Sequence, residues 1–459
     1  MASSRSSTPA EAAAARLTTA VGAWASTIGP GAGVAVALSG GRDSMALLHA
    51  TRAATAGRIA LCALHVHHGL SPDADRWMAF CADACARLGV GFASRRVRVE
   101  RSARTSLEER ARAARYQALR ELAFEHGVAI VALAHHQDDQ AETLLLQLAR
   151  GAGPQGLAAM PAERIDAEGL VWARPLLGVA RADIDAYTGV HALAWVDDPS
   201  NHDPRHRRNA VRLAVAPAIA AAMPGYPATL ARAARHQADA AALADALAEI
   251  DAIAAGCDRG GLDCAALARL SGARARNLLR WWLRDAGLPP PSAARLDQIA
   301  AQLASPRADA RIAIAHAGRV IGRHRGRAHV HPEAPPDYRR DWHGEPTIAL
   351  PHGELAFVPA RGEGIDAGRL AAGLAVRPRR GGERMRLRIG GPLRSLKTLL
   401  QQHGVPSWDR DALPLVVAGD ALVAAPGIGV DAGWRAPPGH PGFVPVWRDH
   451  AGDGRPERA

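Results

Sequence analysis

Val34-Ala-Val-Ala-Leu38-Ser39-Gly40-Gly41-Arg42-Asp43-Ser44 is the stretch that decides how this chain is read. Five small or branched apolar residues run into a polar corner with two adjacent glycines. Met45-Ala-Leu-Leu-His-Ala then follows with helical spacing. An apolar run ended by turn residues predicts a buried parallel strand. Gly40 and Gly41 permit backbone conformations closed to other residues, and they let a ligand approach the main chain. The helix turns its free N–H groups and the positive end of its dipole back toward the corner. Strand, glycine corner and helix N-terminus together suit a phosphate.

The kinase-type phosphate loop, G-x-x-x-x-G-K-[ST], is absent. The only lysine of the chain is Lys397, far from this corner. The dinucleotide fingerprint G-x-G-x-x-G is missing here too. The S-G-G-x-D-S that stands instead resembles the signature of the pyrophosphatase-loop ATPases, which cleave ATP between its α and β phosphates. The resemblance implies that Ser39, Gly40, Gly41, Arg42 and Ser44 bind ATP through its pyrophosphate, and that Asp43 helps hold Mg²⁺. A glycine turn that merely joins strand to helix is the simpler alternative, and the full motif in its required context speaks against it.

At 459 residues the chain exceeds one ordinary core, so two or three domains are expected. Lys and Arg outnumber Asp and Glu by 11. That imbalance fits a polyanionic partner such as nucleic acid, or a generally basic proteome. The five cysteines form no C-x-x-C pair, and structural thiols suit their spacing better than metal ligands. Met1 to Ser7 lacks the apolar segment of a signal peptide, and no apolar run reaches the length of a membrane span. A soluble cytoplasmic protein with no membrane partner is expected, with a frayed N-terminus.

Glu11 to Ile28 predicts an amphipathic helix before the first strand. A second strand ends in His65-Val-His67-His68-Gly69-Leu70, at the edge where ligands of open α/β sheets gather; the histidines either cap the strand or serve a ligand there. A helix over Asp73–Leu88 and a third strand within Val90–Val99 come next. Thr105-x-x-Glu108 and Ser106-x-x-Glu109 are overlapping capping-box candidates for the following helix. On it, Arg112 and Arg115 are three apart and share a face. They suit ordinary surface pairs or a phosphate, and chemistry alone favours the surface.

Val128 to Ala134 predicts a fourth buried strand. His135-His136-Gln137-Asp138-Asp139-Gln140-Ala141-Glu142-Thr143 then opens a helix, with Asp139 and Glu142 on one face and His135 at its mouth. Carboxylates at this edge are natural Mg²⁺ ligands. Asp138 and Asp139 could also cap the helix, but two Asp plus a Glu exceed what a cap needs. Arg205, Arg207, Arg208 and Arg212 make a basic cluster, fit for an RNA backbone or a solvated face.

From Pro217 the pattern turns helical, with Ala228–Ala255 almost unbroken helix former and a β-like stretch at Arg311–His331. Pro332–His343 reads as a linker. In the short-stranded C-terminal part, Arg377 to Arg394 holds seven arginines and one acid, Glu383, a stronger nucleic-acid signal than net charge. Trp408 fits a core position better than a base-stacking one.

Taken together, the motifs resemble the tRNA(Ile)-lysidine synthase family over most of the chain. They are S-G-G-x-D-S at 39–44, H-x-x-H-G-L at 65–70, E-x-x-A-R-x-x-R-Y at 108–116 and A-H-H-x-D-D-Q-x-E-T at 134–143. R-G-x-G-x-x-G-L at 150–157, R-P-L-L at 174–177, D-x-S-N at 198–201 and R-N-x-x-R at 208–212 follow. R-x-G-G-E at 379–383, S-L-K at 395–397, P-x-W-x-R-D at 406–411 and P-L-V at 414–416 complete the set. His206 departs from it, standing where the family usually carries an aromatic residue.

The resemblance implies an α/β fold with a parallel sheet and helices on both faces, then a helical middle domain and a small α+β C-terminal domain. Residues 1–216 are expected to form the ATP-pyrophosphatase catalytic domain, and 217–335 and 345–446 two tRNA-binding domains. ATP and Mg²⁺ are the expected co-substrate and metal; a CAU-anticodon tRNA(Ile) and free L-lysine are the expected partners. The activity implied is transfer of AMP to the wobble cytidine, then its displacement by lysine. Arg112 goes to the phosphate or adenylate, which overrides its surface reading. Asp43 and Asp139 go to metal, Asp139 and Glu142 to metal or lysine, and His135 to positioning or proton transfer. Arg208, Arg212, Arg379, Arg380, Arg384 and Lys397 are expected at the tRNA. A homodimer is left open. The rivals are a tRNA thiolase of the same loop class, an RNA-binding protein with a dead ATP site, and a small-molecule synthetase.

Overall fold

A computed structural model describes residues 8–55, 57–69, 71–98, 107–258, 261–305 and 312–449. Leu70 and the capping residues Thr105 and Ser106 lie outside this set, as do the polar ends and Arg311. The chain divides into two compact units, 1–243 and 244–459.

In the first unit, α1 (Pro9–Ser26) is started by a reciprocal cap: Thr8 N donates to Glu11 Oε2 at 2.7 Å and Glu11 N to Thr8 Oγ1 at 3.2 Å. The decisive stretch becomes β1 (Gly33–Ala37) and α2 (Arg42–Thr55). Then come β2 (Ala60–His67), α3 (Ala74–Leu88), β3 (Gly91–Arg96), α4 (Leu107–Glu125), β4 (Ile130–Ala132) and α5 (Gln137–Leu148). After α6 (Pro154–Leu157), β5 (Glu163–Ile165) and β6 (Val171–Ala173), α7 (Arg181–Val190) packs back on α1 and α2. The sheet order is β3-β2-β1-β4-β6-β5. All neighbours are parallel except the β5–β6 edge hairpin.

Alternation along β1 explains why the sheet is apolar on both sides. Val36 joins Leu17 and Val21 of α1, Leu47 and Leu48 of α2, Cys81 and Cys85 of α3 and Ile184 of α7. Ala35 joins Leu119 and Leu122 of α4, with Val131 and Trp172, on the other face. Both faces are thus covered, as a parallel sheet requires. Burial pushes the Cys81 thiol up to about 12 and Cys85 to about 11, which suits packing residues.

After α7 the chain is irregular: α8 (Arg207–Ala210) passes into a π-helical turn, Val211–Val215, and then α9 (Ala216–Ala222). The expected long helix is α10 (Tyr226–Ala254).

The second unit contains more sheet than its helical sequence pattern suggests. β7 (Leu262–Asp263) is followed by α11 (Cys264–Arg269), α12 (Gly272–Asp285) and α13 (Ala293–Leu303). Their apolar faces pack on a four-stranded sheet, β7-β10-β9-β8, in which β8 (Ala313–His316), β9 (Arg319–His324) and β10 (Arg327–Pro332) realise the expected β-like stretch. The expected linker is partly strand: β11 (Arg340–Trp342) pairs with a later strand, and Trp342 stacks on Phe357 at 3.7 Å between centroids. The linker composition hid a buried tryptophan that closes the C-terminal core. Two further antiparallel sheets, of five and four strands, enclose that core. Trp408 stacks on His331 at 4.4 Å, and a side chain at Gly322 would come within 2.9 Å of both rings. Glycine is therefore required at Gly322, and Trp408 is a packing residue there.

Candidate active site

The corner after β1 is held from within. Ser44 Oγ donates to Gly41 O at 2.8 Å and lies 3.1 Å from Ser39 Oγ, while Ser39 N donates to Ser44 Oγ at 3.3 Å. Gly40 has φ +85°, and a Cβ there would sit 2.9 Å from Val196 Cγ2 and 3.0 Å from Cys81 Sγ. Glycine is thus needed for both conformation and space. His65 Nδ1, buried, lies 2.8 Å from Leu38 O and fixes the end of β1. Of the three histidines, His65 is accounted for by this bond. His67 pairs with Asp75, Nε2 to Oδ1 at 3.3 Å.

Asp43, the second residue of α2, meets α5 across the edge. His136 Nε2 lies 3.6 Å from Asp43 Oδ2 and 3.5 Å from Asp139 Oδ2. Burial alone would raise the Asp43 carboxyl, but the His136 hydrogen bond and charge, with Arg42, outweigh it and hold it at about 2. Burial would lower His136, yet Asp43, Asp139 and Asp138 together raise it. Arg42 donates to Asp43 at 3.2 Å and also pairs with Asp185. Asp139 also serves as a cap, accepting from His136 N at 3.0 Å, and Asp138 accepts from Arg181 N at 3.0 Å.

Arg208 and Arg212, expected at the tRNA, lie against α5. Arg212 Nε and Nη2 donate to Glu142 Oε1 and Oε2 at 2.7 and 2.9 Å, and Nη2 reaches Asp139 Oδ1 at 3.3 Å. Arg208 Nη2 donates to Thr143 Oγ1 at 2.8 Å. The buried carboxylate of Glu142 demands such partners. The π-helical turn that carries Arg212 is a feature common at functional sites. Asn209 holds the preceding loop through Ser200 O and Asp203 O, at 2.9 and 3.0 Å.

His135 stands beside Asp139, and burial followed by the nearby Arg174, Arg112 and Arg208 keeps its imidazole neutral against the pull of Asp139. Arg112 makes no ion pair among the described residues; it leans over Tyr116, 5.1 Å from the ring centroid. The second unit carries the remaining predicted arginines. Arg379 and the buried Arg377 face Glu383, Arg380 pairs with Asp337 at 3.1 Å, and Arg384 and Lys397 are exposed. Arg377 is a core ion pair, so the basic run is less free than its count suggests. Motif reading gives no separate role to His136, although its place at the N-cap of α5 marks it.

Asp43 and Asp139 converge on one point from two helices. Two carboxylates of this kind, with phosphate oxygens and waters, are a donor set that fits Mg²⁺. Among the described residues no larger cluster forms a complete protein cage.

Family models match three segments: a PP-loop domain at 13–219, a TilS substrate binding domain at 262–329 and a TilS substrate C-terminal domain at 374–447. The chain is similar to the tRNA(Ile)-lysidine synthase of Ralstonia nicotianae, 48% identical over 415 residues, 87% of this chain and 89% of that one. It is also similar to that of Aromatoleum aromaticum, 41% identical over 428 residues, 92% of this chain and 99% of that one. A crystal structure of a TilS C-terminal domain is similar to 25% of this chain over 98% of its own length, with 22% identity and a TM-score of 0.21. Identity at this level over nearly the full length of both sequences means that the chain belongs to the tRNA(Ile)-lysidine synthase family.

Proposed function

We propose that this protein is a ligase that joins free L-lysine to C2 of the wobble cytidine in a CAU-anticodon tRNA(Ile), at the expense of ATP. The observation that carries the reading is the convergence of Asp43, His136 and Asp139 beside an intact Ser39–Ser44 corner. In the first step the C2 oxygen of cytidine attacks the α-phosphorus of ATP. The bond to pyrophosphate breaks, and AMP becomes esterified to the base. The Gly40 and Gly41 backbone, with the Ser39 and Ser44 hydroxyls, is suited to hold the departing pyrophosphate. Asp43 and Asp139 would hold Mg²⁺, which supplies neutralisation of phosphate charge when bound. His136 orients both carboxylates.

In the second step the side-chain amine of lysine attacks C2 and AMP leaves with the oxygen; the attacking nitrogen loses one proton and keeps one N–H on the new bond. His135, whose imidazole is neutral, would take that proton. Glu142 is the carboxylate best suited to attract the lysine ammonium, and Arg212 holds it in position through both oxygens. Arg112 is left for the adenylate phosphate. Residues 1–216 would supply this chemistry, while 217–335 and 345–446 hold the tRNA through Arg379, Arg380, Arg384 and Lys397. Among the described residues no single helix is long and apolar enough to cross a membrane, in keeping with an expected cytoplasmic site of action.

The test is transfer of label. With lysine omitted, α-³²P from ATP should become attached to a CAU-anticodon stem-loop, and lysine should release it as AMP. Cleavage of ATP with no label on the RNA would redirect the reading to another acceptor, such as that of a thiolase.

A further inference from the structure

The α4 side of the catalytic edge holds positive charge that the steps above do not use. Arg115 has no carboxylate partner among the described residues. Its neighbours are the Tyr116 ring, 5.9 Å from its guanidinium carbon, the guanidinium groups of Arg112 and Arg208, and His68, whose imidazole burial pushes down to about 4. Arg174, 7% exposed, donates to Pro161 O at 2.8 Å but leaves its Nε without a partner. Nδ1 of His68 and Nδ1 of His135 are also buried and unpartnered. A guanidinium withdrawn from water without a counter-charge, as that of Arg174 is, is costly, and a bound anion would supply the missing negative charge.

Placement separates this patch from the phosphate loop. α4 packs with Leu64, Val131 and Trp172 on one face of the sheet, whereas α2, which opens at the loop, packs on the other. A pyrophosphate seated on the loop leaves the α4 side to a second anion. The α-phosphate remains one bond from the pyrophosphate until it is transferred, so a separate phosphate suits the far side better. Guanidinium forks match phosphate oxygens in pairs.

We propose that Arg115, together with Arg174, forms a second phosphate subsite that takes a backbone phosphodiester of the RNA next to the reacting cytidine. It rests on the RNA-modifying function proposed above. A phosphate held there would fix the register of the strand while carrying no base information itself.

The test uses the full chain and a CAU-anticodon stem-loop. Arg115→Gln should weaken stem-loop binding about tenfold and lower its log–log salt slope by about 0.7–0.9, one phosphate's worth. Its KM for ATP should stay within about twofold of the wild-type value. Arg115→Lys, which keeps the charge, should recover most of the binding and guards against a folding defect in the glutamine variant. A stem-loop with an uncharged methylphosphonate in one linkage flanking the cytidine should bind the wild-type protein about tenfold more weakly, and Arg115→Gln no more weakly than it binds the normal RNA. A raised KM for ATP with unchanged RNA binding would assign the patch to the nucleotide's α-phosphate and overturn the proposal. So would a methylphosphonate penalty that persists undiminished in Arg115→Gln. Lysidine formation by the wild-type protein, run in parallel, tests the underlying function separately.

Discussion

Arg212 grips both oxygens of Glu142 from 70 residues away in sequence, Nε to Oε1 at 2.7 Å and Nη2 to Oε2 at 2.9 Å. The carboxylate is buried, with 4% of the residue exposed, and the same guanidinium reaches Asp139 at 3.3 Å. The last basic motif of the catalytic unit therefore belongs to the acidic centre of the site. A bidentate arginine fixes the direction of a carboxylate.

Removing that arginine leaves the buried carboxylate with only the more distant Arg208, Nε to Oε2 at 3.8 Å. Arg212→Ala should destabilise the protein by about 2–3 kcal/mol, read by urea unfolding, and should raise the KM for lysine. A variant as stable as the wild type, weakened only in RNA binding, would show that Arg212 serves the RNA backbone.

Asp43 links the loop to α5 through His136. Asp43→Ala should lower release of AMP and pyrophosphate by a hundredfold or more, on the order of the loss seen when a charge-stabilising group is removed. Stem-loop affinity should change little. Full ATP cleavage by this variant would contradict the site assignment.

Glu383 sets a pH dependence in the second unit. Burial would raise its carboxyl, but N–H donation by Arg380 at 2.7 Å and by Gly381, with the Arg377 guanidinium at 3.1 Å, holds it below its ordinary value of 4.5. A depressed folded-state pKa gives stability that is present above about 4.5 and is lost as pH falls through the folded value. Glu383→Gln should therefore be less stable than the wild type at pH 7, and the gap should narrow below pH 4.5. A gap that stays constant down to pH 3 would refute this.

Lys397 is the one lysine in a chain that otherwise uses arginine, and it is exposed on the helix Leu396–Gln402. A compact ammonium on a flexible stem is not replaced by a planar guanidinium. Lys397→Arg should raise the KM for tRNA several-fold and leave the KM for ATP alone. An unchanged tRNA KM would remove any special role for this residue.

Local pattern carried much of the architecture. The apolar run of β1, the glycine corner and the helix after it stand where their residues predict, because each rests on neighbours in sequence. Asp139 and Glu142 share the predicted face of α5 for the same reason. What local pattern could not give is partnership across the chain. Nothing near Arg212 names Glu142, nothing near Arg42 names Asp185, and the polar Pro332–His343 stretch conceals Trp342, whose burial depends on distant strands. His136 was hidden beside His135, since only the packed edge decides which of two adjacent histidines faces Asp43.

The central claim is tested most directly by the product. The protein is incubated with ATP, Mg²⁺, lysine and a CAU-anticodon tRNA(Ile) transcript, and the RNA is digested to nucleosides for mass spectrometry. The account predicts a cytidine that has gained lysine with loss of water, formed only when both ATP and lysine are present. Unmodified cytidine under those conditions, with the protein folded and the RNA bound, would contradict it.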